Sequence, residues 1–434
     1  MSSFFKMRVA ATIQVLLVVA SIGLFEVAQA EKVSIESSNT IASDKLSRSQ
    51  RKAALKQQKQ DMAELESSAV IAEVLRLQWQ VAPLYGAVGD TQKIGLEKVF
   101  RETAARNLSV RQADAQIKDA EQQAKELVEN PLILLNPVQM SLLKQAGASN
   151  VQAAKSQAQA ARQKALLESA TMYSALTQAF LAKYLAFQAI EQGRNQLKLE
   201  EQRFVSGESD RFGVTQTQMA LIERYNKYLT ADDLYYAASL TLGNHIDFPE
   251  DRALVPEEVS LQSEINMVPT LKLLPDNLTL EKVQKASLTR PDIQAAQFRK
   301  EAMKKLIKAS FGQEKHKREA DLRLLEMQSE KALDTVSATT SRAFAQHRTA
   351  QKSLQLAQQR YELAREFVRQ LEVSNKAGFS STKDVLDGQL ELARANSALI
   401  EARLSNNLTQ VQLAYEMGLL QEDLVSHPLP PNAL

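Results

Sequence analysis

An apolar stripe that returns every three and four residues dominates two separate stretches of the chain. In the first, Val151, Ala154, Ala158, Ala161, Ala165, Met172, Leu176, Phe180, Phe187, Ile190, Leu197 and Phe204 keep this spacing. In the second, Ala332, Val336, Ala343, Ala350, Leu354, Ala357, Tyr361, Ala364, Val368 and Leu371 do the same. The steps average 3.5 residues, the period of helices wound along a partner, where an isolated straight helix shows 3.6. Alanine at many of these positions lets two backbones approach closely. A helix of about 55 residues is roughly 80 Å long. Each stretch therefore predicts a helix that must lie along another.

The partner follows directly. Ser206-Gly207-Glu208-Ser209-Asp210 ends the first stretch, and a new helix is expected near Val214. Lys376-Ala377-Gly378-Phe379-Ser380-Ser381 ends the second, with a new helix near Thr382. Glycine supplies a left-handed cap, and the Ser and Asp that follow can cap the next helix. Setting Gly207 on Gly378 places Gln218 on Gln389 and Leu221 on Leu392. The second return helix keeps a stripe through Leu386, Leu390, Ala393, Ser397, Ile400, Leu404, Leu408 and Val411. Two long antiparallel hairpins result.

Each hairpin also opens alike. Leu96-Glu97-Lys98-Val99 starts a short helix that reaches Asn107; Leu280-Glu281-Lys282-Val283 starts another that reaches Thr289-Arg290-Pro291-Asp292. A repeat of this kind sets the organisation of the whole chain. The expected divisions are a first repeat over 95–243, a proline-containing linker over 244–277, a second repeat over 278–420 and a tail over 421–434. Pro249, Pro256, Pro269 and Pro275 prevent one continuous helix through the linker. Ahead of the repeats, Asp44 to about Val81 predicts a helix within an extension over 44–94, and 31–43 reads as a disordered polar segment. Composition agrees with an all-α chain: glycine is scarce, 13 in 434 residues, and strong helix formers dominate.

The first thirty residues predict a signal peptide. Lys6 and Arg8 precede an apolar run from Val9 to Phe25, and Ala28-Gln29-Ala30 offers small residues before a cleavage site. The apolar run is shorter than the roughly 20 residues a membrane span needs, and Glu26 interrupts its end. The formal charge of +2 is near neutral and gives no case for a nucleic-acid partner. The absence of cysteine removes disulfides, thiolate ligands and a cysteine nucleophile. His245, His316, His347 and His427 have no helical spacing between any pair. No phosphate loop or nucleophile elbow is present. The reading is a non-enzyme without metal, cofactor or catalytic residue.

Periodicity alone leaves a generic coiled coil or spectrin-like bundle open. The residues around the second turn narrow it. Ala377-Gly378-Phe379, then Asp384-Val385-Leu386-Asp387, then Gln389-Leu390-Glu391-Leu392-Ala393-Arg394-Ala395 resemble the carboxy-terminal repeat of TolC-like outer membrane factors, the outer membrane efflux proteins. Tyr415-Glu416-Met417-Gly418 is similar to that repeat's closing element, and Arg290-Pro291-Asp292-Ile293 to the opening of the second repeat. Leu96 to Ala124 resembles the opening of the first, with Leu108 in place of the usual proline. The resemblance covers about Gly95 to Leu420.

It implies a homotrimer in which six hairpins curl into a periplasmic α-helical tunnel. The turns at its inner tip would meet a periplasmic adaptor protein working with an inner membrane pump, in tripartite efflux or type I secretion. The docking candidates it implies are Ser206, Gly207, Glu208 and Asp210 in the first turn. In the second they are Lys376, Ala377, Gly378, Phe379, Ser380 and Asp384. It also implies two β-strands per repeat ahead of each long helix, which three chains would close into a membrane barrel. Here the sequence departs. Asn130 to Asn150 is apolar without alternation, and Lys304 to Glu330 is charged and helical in character, whereas a spanning strand needs about 9–11 alternating residues. The barrel is expected to be absent or degenerate. Two functions stay open, a conduit at the outer membrane and a non-conducting periplasmic scaffold or adaptor-binding protein.

Overall fold

Helix-forming composition is realised as eight helices and two three-residue strands in the computed structural model, which describes residues 92–129, 137–248, 253–257, 268–275, 277–380 and 382–429. Strand β1 (Gln92–Ile94) leads into α1 (Leu96–Arg106), α2 (Leu108–Glu129), the long α3 (Pro137–Ser206) and its return α4 (Arg211–His245). Strand β2 (Leu254–Pro256) is followed by α5 (Leu280–Ser287), α6 (Pro291–Ala309), the long α7 (Gly312–Lys376) and its return α8 (Thr382–Glu416). The expected signal peptide, the polar segment 31–43 and the helix over 44–81 lie outside the described residues. The chain divides into two compact units, residues 1–75 with 201–211 and residues 76–200 with 212–434. Of the first unit, 201–211 is described: the last turn of α3 and the bend after it.

Within the second unit, α3 and α4 run antiparallel. Lys183 pairs with Asp232 at 2.5 Å, and Arg194 donates to the Tyr225 hydroxyl at 2.6 Å. Ile190, Leu221 and Tyr228 pack between them. Gly193 makes room for Arg224: a Cβ there would stand 2.7 Å from its guanidinium. Arg224 uses that notch to donate to the Ala189 carbonyl at 3.1 Å and to Gln196 Oε1 at 2.9 Å.

The buried positions of α7 are Val336, Thr340, Ala343, His347, Ala350, Leu354, Tyr361, Ala364 and Val368. With half-buried Ala357 they alternate four and three residues apart, the coiled-coil spacing, and polar Thr340 and His347 fill the gaps in the apolar stripe. Facing them, α8 contributes Leu392, Ala395, Leu399 and Ala402. Gly388 sits beneath Leu371, where a Cβ would come within 2.6 Å of Cδ1. This is a different face of α8 from the stripe read in the sequence. Leu390 on that stripe is 48% exposed, while Ile400 and Leu404 pack with Leu181 of α3 and Val268. Because α8 is buried on two sides, two stripes of equal period compete, and periodicity alone does not rank them.

The largest core gathers where short helices, long helices and return-helix ends meet. Phe100 of α1, Leu176 of α3, Leu242 of α4 and Leu413 and Met417 at the end of α8 are fully buried there. Each such side chain stabilises the fold by about 1.5–3 kcal/mol relative to exposure. The two strands pair in parallel beside this core, with Ile94 opposite Pro256. Extended backbone after β2 is held by α8 through side-chain amides. Asn407 accepts from Leu271 N–H at 2.9 Å and donates to the Pro269 carbonyl at 2.8 Å. Gln410 accepts from Leu273 N–H at 2.9 Å and donates to the Leu271 carbonyl at 2.7 Å. Backbone polar groups that a sheet neighbour would satisfy are thus met by a helix.

Candidate functional site

The two turns singled out in the sequence have one backbone geometry. At the first, Gly207 has φ +81°; its N–H reaches the Phe204 carbonyl at 3.1 Å, and Glu208 N–H reaches Arg203 at 2.9 Å. At the second, Gly378 has φ +79°; its N–H reaches Asn375 at 2.9 Å, and Phe379 N–H reaches Ser374 at 2.9 Å. Both are Schellman caps, which satisfy the last helix carbonyls through a left-handed residue. Nothing lies within 4 Å of a Cβ built on either glycine. Backbone conformation, and not lack of space, requires glycine at both positions.

The structure gathers Ser206, Gly207, Glu208 and Asp210 into the first turn, all exposed. Ser206 Oγ donates back to the Arg203 carbonyl at 2.9 Å. In the second turn, Lys376, Ala377, Gly378 and Phe379 are exposed and Ser380 is half-buried. Ser380 Oγ donates to Leu371 at 3.1 Å, and its carbonyl accepts from Asn375 Nδ2 at 2.9 Å. Phe379 stands 88% exposed, beyond any other large apolar side chain among the described residues. Asp384 lies one helical turn further on, in the first turn of α8, where a carboxylate suits the helix dipole. The first turn carries the carboxylates of Glu208 and Asp210, with Phe212, 73% exposed, just beyond it, and the second carries Lys376 and Phe379.

Sequence reading missed the groups that fix the other ends of the return helices. Where α4 stops, Asp247 takes φ +53° and Phe248 N–H reaches the Gly243 carbonyl at 2.9 Å. Asn107 caps α2 through Ser109 N–H at 3.0 Å and donates to the His245 carbonyl at 2.9 Å. Where α8 stops, Gly418 takes φ +71° and Leu419 N–H reaches Ala414 at 2.9 Å. Here the N-cap residue of α6, Arg290, binds Glu416 and also Asp292 at 2.8 Å. Its guanidinium lies 5.2 Å from the Tyr415 ring centre. Burial pulls the Arg290 pKa down, but the hydrogen bond and charge of Asp292, with Glu416 and Tyr415, outweigh it, so the net shift is upward. Laying Gly207 on Gly378 also lays His245 on Glu416 and Asp247 on Gly418. That alignment was the available signal.

Between α6 and α7 only Ser310 and Phe311 intervene, and residues 130–136 are all that separate α2 from α3. Neither interval has room for two spanning strands of about 9–11 residues each. Residues 137–150 and 312–330, where such strands would fall, are helical. Among the described residues, no helix is long and apolar enough to cross a membrane.

No protein-family model and no curated protein matches the sequence. Solved structures do match. The outer membrane protein VceC of Vibrio cholerae is 15% identical, over 74% of this chain and 96% of its own, with a TM-score of 0.56. The outer membrane channel CmeC of Campylobacter jejuni is 12% identical, over 75% and 86%, with a TM-score of 0.57. The outer membrane channel MtrE of Neisseria gonorrhoeae, in its open state, is 16% identical, over 76% and 90%, with a TM-score of 0.54. At such identities the likeness speaks for architecture, and by architecture this chain has the TolC-like fold of outer membrane channel proteins.

Proposed function

We propose that the chain is a passive component of a tripartite efflux or type I secretion system, forming a periplasmic helical conduit that docks an adaptor protein. The observation that carries this reading is the pair of long hairpins, each ended by a Schellman turn with exposed flanking residues. The shared fold supports it. In this reading 95–243 and 278–420 are the two repeats, three chains assemble, and an inner membrane pump completes the system. The protein is exported and works at the outer membrane or in the periplasm. Ser206, Glu208 and Asp210, with Lys376, Phe379, Ser380 and Asp384, make the docking contacts, while Gly207 and Gly378 hold the turns.

A second reading, a non-conducting periplasmic scaffold that binds an adaptor, is favoured by the two-residue junction between α6 and α7. A photo-crosslinking side chain placed at Glu208 or at Phe379 tests docking. Adducts with a membrane-anchored periplasmic protein at both turns, and none at exposed Leu324, are expected; equal labelling at Leu324 would remove the docking role. Fractionation then separates the two readings. Recovery as a detergent-dependent outer membrane trimer means a conduit, and free release with the periplasm means a scaffold.

A further inference from the structure

Phe311, at the junction of α6 and α7, is 73% exposed. Its exposure is built in, because the corner beneath it is tied. Ser310 N–H reaches the Ile307 carbonyl at 3.2 Å. Ser310 Oγ donates to Leu306 at 2.6 Å. Arg318 reaches back from α7 to Ser310 Oγ at 2.6 Å and to the Leu306 carbonyl at 3.3 Å. Gly312 turns the chain with φ +60°.

The charge around this ring is one-sided. From Lys304 to Arg318 the chain carries six cations (Lys304, Lys305, Lys308, Lys315, Lys317 and Arg318) against one carboxylate, Glu314, with His316 also exposed. The local excess is larger than the formal +2 of the entire chain. Glu314 is taken up by Arg318, Lys304 approaches Glu326 at 3.7 Å and Lys315 approaches Glu319 at 4.0 Å. Lys308 and Lys317 enter no ion pair among the described residues. Phe212 and Phe379, 73% and 88% exposed, provide a contrast, and Phe212 directly follows a carboxylate and a cation, Asp210 and Arg211. Around Phe379, from Glu372 to Asp387, two lysines face three carboxylates. An exposed ring on a mixed-charge turn suits a protein partner; an exposed ring inside a cationic collar suits an anionic lipid surface. There the ring enters the headgroup region and each lysine near the surface gains from the negative potential.

We propose that the α6–α7 junction is a peripheral membrane-docking tip, with Phe311 inserting and Lys308 and Lys317 meeting anionic phospholipid headgroups. The proposal stands independently of adaptor docking and of conduction. It is tested by floating the full chain, purified from cells that make it, with vesicles of phosphatidylcholine alone or with about one third phosphatidylglycerol. Binding to the anionic vesicles is expected, falling at least about tenfold on neutral vesicles and by a similar factor in the Lys308→Glu/Lys317→Glu variant. Phe311→Glu should bind weakly, and Phe311→Trp should keep binding and gain a blue-shifted emission quenched by brominated lipid. All three positions are exposed, so circular dichroism should match the parent. Equal binding to neutral vesicles, unchanged binding of either charge-reversed variant, or an unquenched tryptophan would overturn the proposal.

Discussion

The ends of the two return helices meet the same geometric demand with different chemistry. Both α4 and α8 stop on a left-handed residue, and both are gripped there by the N-cap residue of the second helix of the same half. In the first half the cap is Asp247 and the grip is the neutral Asn107 amide on the His245 carbonyl. In the second the cap is Gly418 and the grip is Arg290 on the Glu416 carboxylate, with both side chains nearly buried. About two to three helical turns earlier the halves again tie extended backbone to the return helix, there with neutral side chains in both. Tyr235 and Ser239 of α4 hold Leu254 of β2 through its carbonyl and N–H, whereas Asn407 and Gln410 of α8 clasp the segment from Pro269 to Leu273. A duplicated backbone plan fixes where a tie must be. It leaves open whether a neutral hydrogen bond or an ion pair makes it, and these differ in what their loss costs.

The most forceful way to break the comparison is Arg290→Met. It leaves the Glu416 carboxylate, 12% exposed, without its cation and with only the Thr339 hydroxyl donating to it at 3.0 Å, and should cost about 3–5 kcal/mol in urea unfolding, most of it recovered when Glu416→Met is added. Gly418→Ala follows. Its Cβ would meet the Arg290 Cα at 3.0 Å on a backbone that disfavours L side chains, for a loss of about 2–3 kcal/mol in the same measurement.

A pH titration sharpens the contrast at the next level. Burial first, then the charge of Asp232, raises the Tyr235 pKa to about 12, against about 10 in the unfolded chain. The folded state therefore binds the proton more tightly, so this stability is intact below pH 10 and lost as pH rises from 10 towards 12, by about 2 kcal/mol. Tyr235→Phe should flatten that slope, and Asn406, the position that falls on Tyr235 in the second half, titrates nothing. Asn107→Ala removes a cap and a neutral tie and should cost about 1 kcal/mol; a loss as large as that of Arg290→Met would erase the distinction drawn here. The smallest effect expected is a gain. Asp247→Gly relieves a side chain held at φ +53° and should raise the urea midpoint by the equivalent of a few tenths of a kcal/mol.

Much of the architecture was legible because it rests on local signals repeated over long distances. The 3.5-residue stripes gave the long helices, and Gly207 and Gly378 marked bends that only a left-handed residue can close. The docking candidates flanking those glycines were legible as positions, since a turn is a local event. What they bind is a property of another surface. The seam of α8 was misplaced for a different reason. Ala393 and Ile400 repeat as regularly as Ala395 and Leu399, and which set faces α7 depends on what lies against the other side. Thr340 and His347 broke the apolar pattern of α7 and so dropped out of it, although both are buried at seam positions.

By itself the sequence determined that the chain is helical, where its long helices bend back, and that no paired spanning strands precede α7, because all three follow from propensity, period and the number of residues available. Tertiary structure alone decided which stripe of α8 is the seam, which polar residues close the ends of the return helices, and that Phe311 stands bare within a cationic collar. Those outcomes depend on distances between residues far apart in the chain. Asn107 and His245, or Arg290 and Glu416, become partners only after whole hairpins have packed, and no local pattern carries that information.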